Sequence, residues 1–414
     1  MIQINDEEIL VFSDIHVGIK SNAQSRLEVA NDYINRLVET IKERNIKTVL
    51  FGGDWHHERP SIAVETMCYS IEMIKKITEH AKLIFIIGNH DLVTNTETNL
   101  SSMRWLQNMK NVELIENPTE CMMKKNKVLL CPWLSELEHF QKEEYDGMFG
   151  HFDISHKYLI EAYMEDHMSE EVSQAEISNI MIKSGFDLDL TENPHLDKNT
   201  TIKKANSKKH IGEFIELCKK GGQIYSGHIH QRRTFNIKDR NFTFLGTPFQ
   251  LTWGDFNKFS KTSDRGHYIL NCDTLKVEFI ENNESPMHRK YFISDLPVDK
   301  LPVDEVFKEK HIKNNFVRLI LNKQFDYGKL NEIISHINEK KPKEPCVVDY
   351  DFSIEFEDDD SNKPDVDHKN SKLEYINQYV ESLDDKIFQE FSVEKSVILE
   401  KVKEYFEITQ EQML

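Results

Sequence analysis

Over the first 150 residues, short apolar runs alternate with longer stretches in which apolar residues recur every three or four positions, the pattern of repeated βα units. Ile9–Phe12, Thr48–Phe51, Leu83–Ile87 and Val128–Cys131 read as buried strands. Between them, Arg26–Glu43 (Leu27, Ala30, Ile34, Leu37, Val38, Ile41) and Ile62–His80 (Val64, Met67, Ile71, Ile74, Ile77) carry apolar residues at helical spacing. Strand signals then crowd together at Gln223–Ser226, Phe242–Leu245, Gly266–Leu270 and Leu275–Ile280. The pattern predicts an α/β (α+β) chain in which a mixed sheet with helices continues into a β-rich second half.

Three segments break the pattern. Residues 155–210 are polar and helix-like and hold Lys198, Lys203, Lys204, Lys208 and Lys209; they look like an insertion, and the lysines read as a solvated face. After about Met287 a further unit begins, with a strand at Phe316–Leu321 and a helix at Tyr327–Ile337. Residues 355–369 carry seven acids against two lysines, plus Pro364. Such a stretch cannot bury enough apolar surface to fold and is expected to be a linker. Beyond it, Leu373, Ile376, Val380 and Leu383, then Val393, Val397, Ile398, Val402, Tyr405 and Phe406, predict two amphipathic helices whose apolar faces need a partner. The resulting division is 1–286, 287–354, 355–370 and 371–414, and a chain of 414 residues has room for it.

Composition narrows the chemistry. Cys68, Cys121, Cys131, Cys218, Cys272 and Cys346 form no CxxC pair, which argues against a disulfide framework or a structural zinc site and for reduced core residues. No apolar stretch is long enough to span a membrane, and the first residues lack the pattern of a secretion signal. A cytoplasmic location is therefore expected, the host's cytoplasm if the chain is phage-encoded. With 52 basic and 71 acidic residues the formal charge is −19, which repels nucleic acid at long range. A nucleic-acid substrate would need local remedies: bound cations, a few placed basic side chains, or a partner.

Five short motifs stand after strands: Asp14-Ile15-His16, Gly53-Asp54, Gly88-Asn89-His90-Asp91, Gly150-His151 and Gly227-His228-Ile229-His230. Strand ends hold loop residues rigidly along one edge of a sheet, where α/β proteins build their sites. Together they supply four imidazoles, two carboxylates and one amide, donors that suit manganese, iron or zinc better than calcium. Two cations about 3.5–4 Å apart, sharing a carboxylate, lower the pKa of a water and aim it at phosphorus. Any one of these motifs occurs by chance; all five in order after strands do not.

The ordered set resembles the calcineurin-like metallophosphoesterase superfamily over residues 8–285, and within it the SbcD-type recombination nucleases of cells and T-even phages. The narrower likeness rests on His57, three residues after Asp54 in GGDWHHER, on Asp91 closing GNHD, and on GTPFQ at Gly246–Gln250. Phosphoprotein phosphatases typically show GDxVDRG and GNHE at the second and third motifs.

The resemblance implies a four-layer fold, two mixed β-sheets flanked by helices, with a small α/β capping domain and C-terminal helices. It implies two divalent ions, Mn²⁺ or else Mg²⁺. Asp14, His16, Asp54 and His230 would hold one, and Asp54, Asn89, His151 and His228 the other. His90 becomes the candidate general acid, Asp91 the group orienting its imidazole, and His57 a residue that orients the phosphate or strand. By position, residues 288–350 correspond to a cap that binds DNA, and the terminal helices to a segment that docks on an SbcC-type coiled-coil ATPase. A homodimer through residues 62–80 and Trp105–Met109 is also implied, although such stripes are more often core.

The expected function is thus a metal-dependent DNA nuclease, 3′ to 5′ on duplex ends with endonuclease action on single strands, in recombination, repair and replication. A phosphodiesterase of the same fold on small nucleotides, and a catalytically silent scaffold for the ATPase, are the alternatives. The intact ligand set argues against the scaffold.

Overall fold

A computed structural model describes residues 1–94, 100–140, 143–152, 215–237, 239–255, 264–298, 302–321 and 327–350. The predicted insertion at 155–210, the acidic linker and the terminal helices lie outside the described residues.

Two sheets stack face to face. The first has six strands in the order β13-β12-β2-β3-β4-β5: β2 Glu8–Phe12, β3 Thr48–Phe51, β4 Lys82–Ile86, β5 Val112–Ile115, β12 Gly266–Asn271 and β13 Val277–Glu281. The second has seven, in the order β1-β6-β7-β8-β9-β11-β10: β1 Ile2–Ile4, β6 Thr119–Met123, β7 Asn126–Cys131, β8 Tyr145–Gly150, β9 Cys218–Ser226, β10 Arg233–Ile237 and β11 Arg240–Phe244. Both mix parallel and antiparallel pairs.

Side-chain alternation along each strand divides the core into layers. Ile9 and Val11 of β2 face the other sheet, joining Leu50, Ile84, Ile86, Val128, Leu130, Phe149 and Tyr225 in the cluster between the sheets. Leu10 and Phe12 face the opposite way, onto the helices Gln24–Glu43 and Val64–Thr78. Parallel strands buried on both faces must be apolar at nearly every position, which is why β3, TVLF, was legible as a continuous run.

The helix Val64–Thr78 corrects one expectation. Ile74 and Ile77 pack inward as the spacing predicts, but so do Thr66, Ser70 and Met73, while Val64 is 81 % exposed. The buried face is rotated from the predicted stripe because the hydroxyls find hydrogen-bond partners, Thr66 Oγ1 donating to Asn22 Oδ1 at 2.6 Å and Ser70 Oγ lying 2.9 Å from His56 Nε2. The cysteines need a similar adjustment: four are buried, but Cys68 is exposed and Cys346 partly so. Among the described residues no helix is long and apolar enough to cross a membrane.

Residues 288–350 form a separate all-parallel sheet, β14 His288–Phe292, β15 Phe316–Leu321 and β16 Val347–Tyr350, with the helix Tyr327–Glu339. Its own core joins Phe307, Ile312, Val317, Leu319, Leu330, Ile333 and Ile337. It seats on the first long helix through Arg26, whose Nη1 donates to His288 Nε2 at 3.0 Å and to the Leu251 carbonyl at 3.3 Å. The same guanidinium lies 3.4 Å over the Phe316 ring. The His288 N–H donates to Gln250 Oε1 at 2.6 Å, so the GTPFQ segment ties this unit to the two-sheet body.

Candidate metal centre

Each predicted ligand leaves the end of a strand at the same edge of the stacked sheets. Asp14 and His16 follow β2, Asp54 follows β3 and Asn89 follows β4. From the second sheet come His151 after β8, and His228 and His230 after β9. The loops are tight enough that Asp14, His16, Asp54 and His228 all take left-handed backbone angles (φ 56°, 46°, 63° and 80°). Non-glycine residues adopt these at a cost of about 1–3 kcal/mol each, the kind of strain that concentrates where function needs it. Gly88 permits a close approach: a Cβ there would stand 2.3 Å from the Asp54 backbone nitrogen and Oδ1.

Besides a histidine group of His16, His57 and His90, two groups of ligand atoms result among the described residues, Asp14 with His16 and His230, and Asp54 with His151 and His228. They meet at one oxygen. Asp54 Oδ2 lies 3.5 Å from His16 Nε2 and 3.3 Å from His151 Nε2. Its other oxygen accepts the His90 N–H at 2.7 Å, which fixes the carboxylate's direction. His151 Nδ1 donates to the Gly52 carbonyl at 2.8 Å, which turns Nε2 into the cluster. There it meets Asn89 Oδ1 at 2.9 Å, itself 3.0 Å from His228 Nδ1. On the other side His16 Nε2 and His230 Nε2 are 3.0 Å apart. Imidazole nitrogens and side-chain oxygens crowded this closely suit cations between them, and the donor set fits divalent ions.

The electrostatics are mixed: against burial, the Asp54 carboxylate raises His151 to about 9, so this ring must give up a proton before it can ligate. Burial, then the neighbouring imidazoles, push His16 well down, and His228 falls to about 3. Both rings are thus neutral and free to ligate. Burial alone would raise the Asp54 carboxyl, but His151, His16 and His90 outweigh it and hold it below its usual range. Burial also raises Asp14, to about 7, with His151 opposing and Asp54 adding.

The remaining predicted residues fall in different places. His90 Nδ1 donates to the His57 carbonyl at 2.6 Å, which leaves Nε2 as its free nitrogen. The His57 ring stacks on His90 at 5.4 Å and its Nδ1 reaches His16 Nδ1 at 3.4 Å, so it touches a candidate ligand directly. Its neighbour His56 is the core histidine, held by Ser102 and Ser70. Asp91 is a correction. Its buried carboxylate accepts the backbone N–H groups of Asp54, Trp55 and Gly88 at 2.8–2.9 Å, so it clamps two ligand loops together while the His57 carbonyl, not Asp91, holds the His90 imidazole.

Sequence reasoning missed several supports. Trp133 walls the cluster, 5.0 Å from the His228 ring, and Arg265 Nη1 donates to the His230 carbonyl at 2.8 Å. Arg59 also reaches the Asn89 amide. Only Arg59 carried a signal, its place in GGDWHHER.

Comparison with known proteins adds an identity to this geometry. The model of the calcineurin-like phosphoesterase family matches residues 8–232, more than half of the chain. The chain belongs to this family. As a calcineurin-like phosphoesterase it is a hydrolase of phosphoesters that uses divalent metals, and the two ligand groups stand where such metals could be held. It is similar to "Exonuclease subunit 1" of Enterobacteria phage T4, 25 % identical over 292 residues that cover 68 % of this chain and 70 % of that one. A solved structure described as a novel archaeal phosphodiesterase matches at 12 % identity with a TM-score of 0.31, covering 66 % of this chain and 99 % of that one.

Proposed function

We propose that this calcineurin-like phosphoesterase is a DNA nuclease that uses two divalent ions, manganese or magnesium. The observation that carries the reading is the placement of Asp54 Oδ2 between the two ligand groups, with two imidazoles outside both of them alongside. Asp14, His16, Asp54 and His230 would hold one ion and Asp54, Asn89, His151 and His228 the other. When bound, the ions supply an activated water and positive charge for the scissile phosphate.

The chain's own groups do the rest. His90, fixed through Nδ1, presents Nε2 to the departing sugar oxygen and gives it a proton. His57 positions both His16 and His90 through its ring and carbonyl. Asp91 keeps the Asp54 and Gly88 loops in register.

Likeness to a phage exonuclease subunit supports a nucleic acid as substrate, and the GGDWHHER and GTPFQ motifs narrow our reading to DNA. The reading extends to 3′ to 5′ action on duplex ends, endonuclease action on single strands, and a role in recombination, repair and replication. It includes a cap at residues 287–354, a homodimer, and an SbcC-type ATPase partner docked on residues 371–414. The test is degradation of end-labelled duplex and single-stranded DNA in manganese, magnesium or chelator, with Asp54→Ala as control. Manganese-dependent cleavage abolished by Asp54→Ala is expected. Turnover of a small phosphodiester with DNA intact, in the presence of the ATPase, would replace this reading by a small-substrate phosphodiesterase.

A further inference from the structure

Arg59 follows His57 by two residues, and its guanidinium lies at the rim of the ligand cluster. Its Nη2 is 2.6 Å from the outer atom of the Asn89 amide, whose inner atom faces His151, His228 and Asp54. The amide can turn only one way at a time. With its oxygen outward it would accept from Arg59 and present an NH₂ group to the cluster. With its oxygen inward, as cation binding at His151 and His228 requires, Arg59 faces an NH₂ group and must find another acceptor.

None is at hand. Arg59 Nε is buried and has no hydrogen-bond partner, and no carboxylate among the described residues pairs with this side chain. The guanidinium is permanently charged and presents several N–H groups in a rigid fork, the geometry that matches the oxygens of a phosphate. A chain with a formal charge of −19 needs a fixed cation of this kind where a polyanion must come close.

We propose that Arg59 binds non-bridging oxygens of the scissile phosphate, at the Asn89 edge of the metal centre. This rests on the reading of the site as one that cleaves phosphodiesters. Arg59 is then a substrate-binding residue that becomes available when the Asn89 oxygen is taken by the cluster.

The test compares full-length wild type, Arg59→Lys and Arg59→Gln in manganese. Steady-state kinetics use bis(p-nitrophenyl) phosphate and end-labelled duplex. Binding of a phosphorothioate-ended duplex is followed against salt, and Mn²⁺ affinity is measured by titration calorimetry. Loss of a charged hydrogen bond to phosphate should lower kcat/KM about 10- to 100-fold for Arg59→Gln, chiefly through KM, with Arg59→Lys retaining part. The salt slope of duplex binding should fall by about 0.9, one phosphate contact, with Mn²⁺ affinity unchanged.

An unaltered KM and salt slope would overturn the proposal, as would a loss of Mn²⁺ affinity that tracks the loss of activity, since Arg59 would then act through Asn89. If wild type cleaves the small diester but not DNA, the DNA reading fails and Arg59 is judged on the small diester alone. An inactive wild type that still binds duplex would sink the catalytic reading, and the salt slope would decide Arg59. With neither turnover nor duplex binding, both fall.

Discussion

Replacing Asp91 by asparagine exchanges one oxygen for an NH₂ group at a position with no solvent exposure. Two of its three backbone donors, the Asp54 and Gly88 N–H groups, converge on Oδ2, and the Trp55 N–H reaches Oδ1. An asparagine keeps two bonds by placing its oxygen at the Oδ2 position. Its NH₂ group then confronts the Trp55 N–H, donor against donor. One charge-assisted bond is lost with a buried donor left unpaired, a cost of about 2 kcal/mol, and the other two weaken from charged to neutral, adding about 1 kcal/mol.

The lost bonds, about 3 kcal/mol, are offset in part by relief of a buried charge, and a net destabilisation of at least about 1 kcal/mol is expected for Asp91→Asn. Urea unfolding at pH 8 with chelator checks it, above the value of about 7 to which burial, and then Asp54, raises this carboxyl. Because the His57 carbonyl holds His90, the shape of the pH–rate profile should survive the substitution. A loss below about 1 kcal/mol, together with a displaced pH–rate profile, would refute the clamp and return Asp91 to the role of orienting His90.

Three further outcomes are expected. Gly88→Ala drives a methyl into the Asp54 backbone and carboxylate and should lower turnover at least about 100-fold, read from steady-state rates beside metal stoichiometry. His90→Ala should cut kcat by about 10²–10⁴ while leaving Mn²⁺ affinity near wild type; an equal loss of metal would mean that His90 is a ligand. His288 is buried against Arg26 and pushed down to about 2, so the folded chain keeps it neutral where the unfolded chain protonates it. Its contribution is whole above about pH 6.5 and is lost as pH falls below that, at up to about 1.4 kcal/mol per pH unit. Unfolding midpoints between pH 4 and 7 should therefore slope less steeply in His288→Gln than in wild type.

The most legible parts of the chain were those in which a single local pattern decides the outcome. β3 and β15 read correctly because strands buried on both faces are apolar at nearly every position, Thr48 and Arg318 being the exceptions. β8 escaped because Asp146, Gly147 and Gly150 interrupt its apolar run, yet Gly147 sits where a Cβ would strike Leu275 from the facing sheet. β10, an edge strand of sequence RTFNI, and β14, HRKYF, are too polar to stand out. The ligands were legible because each sits in a short motif of Asp, Asn or His, and all but His151 closely follow a strand that the sequence itself shows. The uses of Asp91, Arg265 and Arg59 were not, because they arise where loops far apart in the chain meet, and no spacing rule records that meeting.

The ligand residues come from both sheets: Asp14, His16, Asp54 and Asn89 from one, His151, His228 and His230 from the other. Apart from this edge, the two layers are joined mainly by apolar contacts, which have no direction, and by a few hydrogen bonds such as Tyr268 Oη to the Leu245 carbonyl and Tyr225 Oη to the Leu275 carbonyl. A cation held at this edge is therefore a rivet as well as a reagent. It fixes the offset of one layer against the other, and its binding energy is added to the cohesion of the whole body. Metal supply would then govern how rigid the protein is before it governs how fast it works, and starvation for metal would loosen the sandwich from the catalytic edge inward.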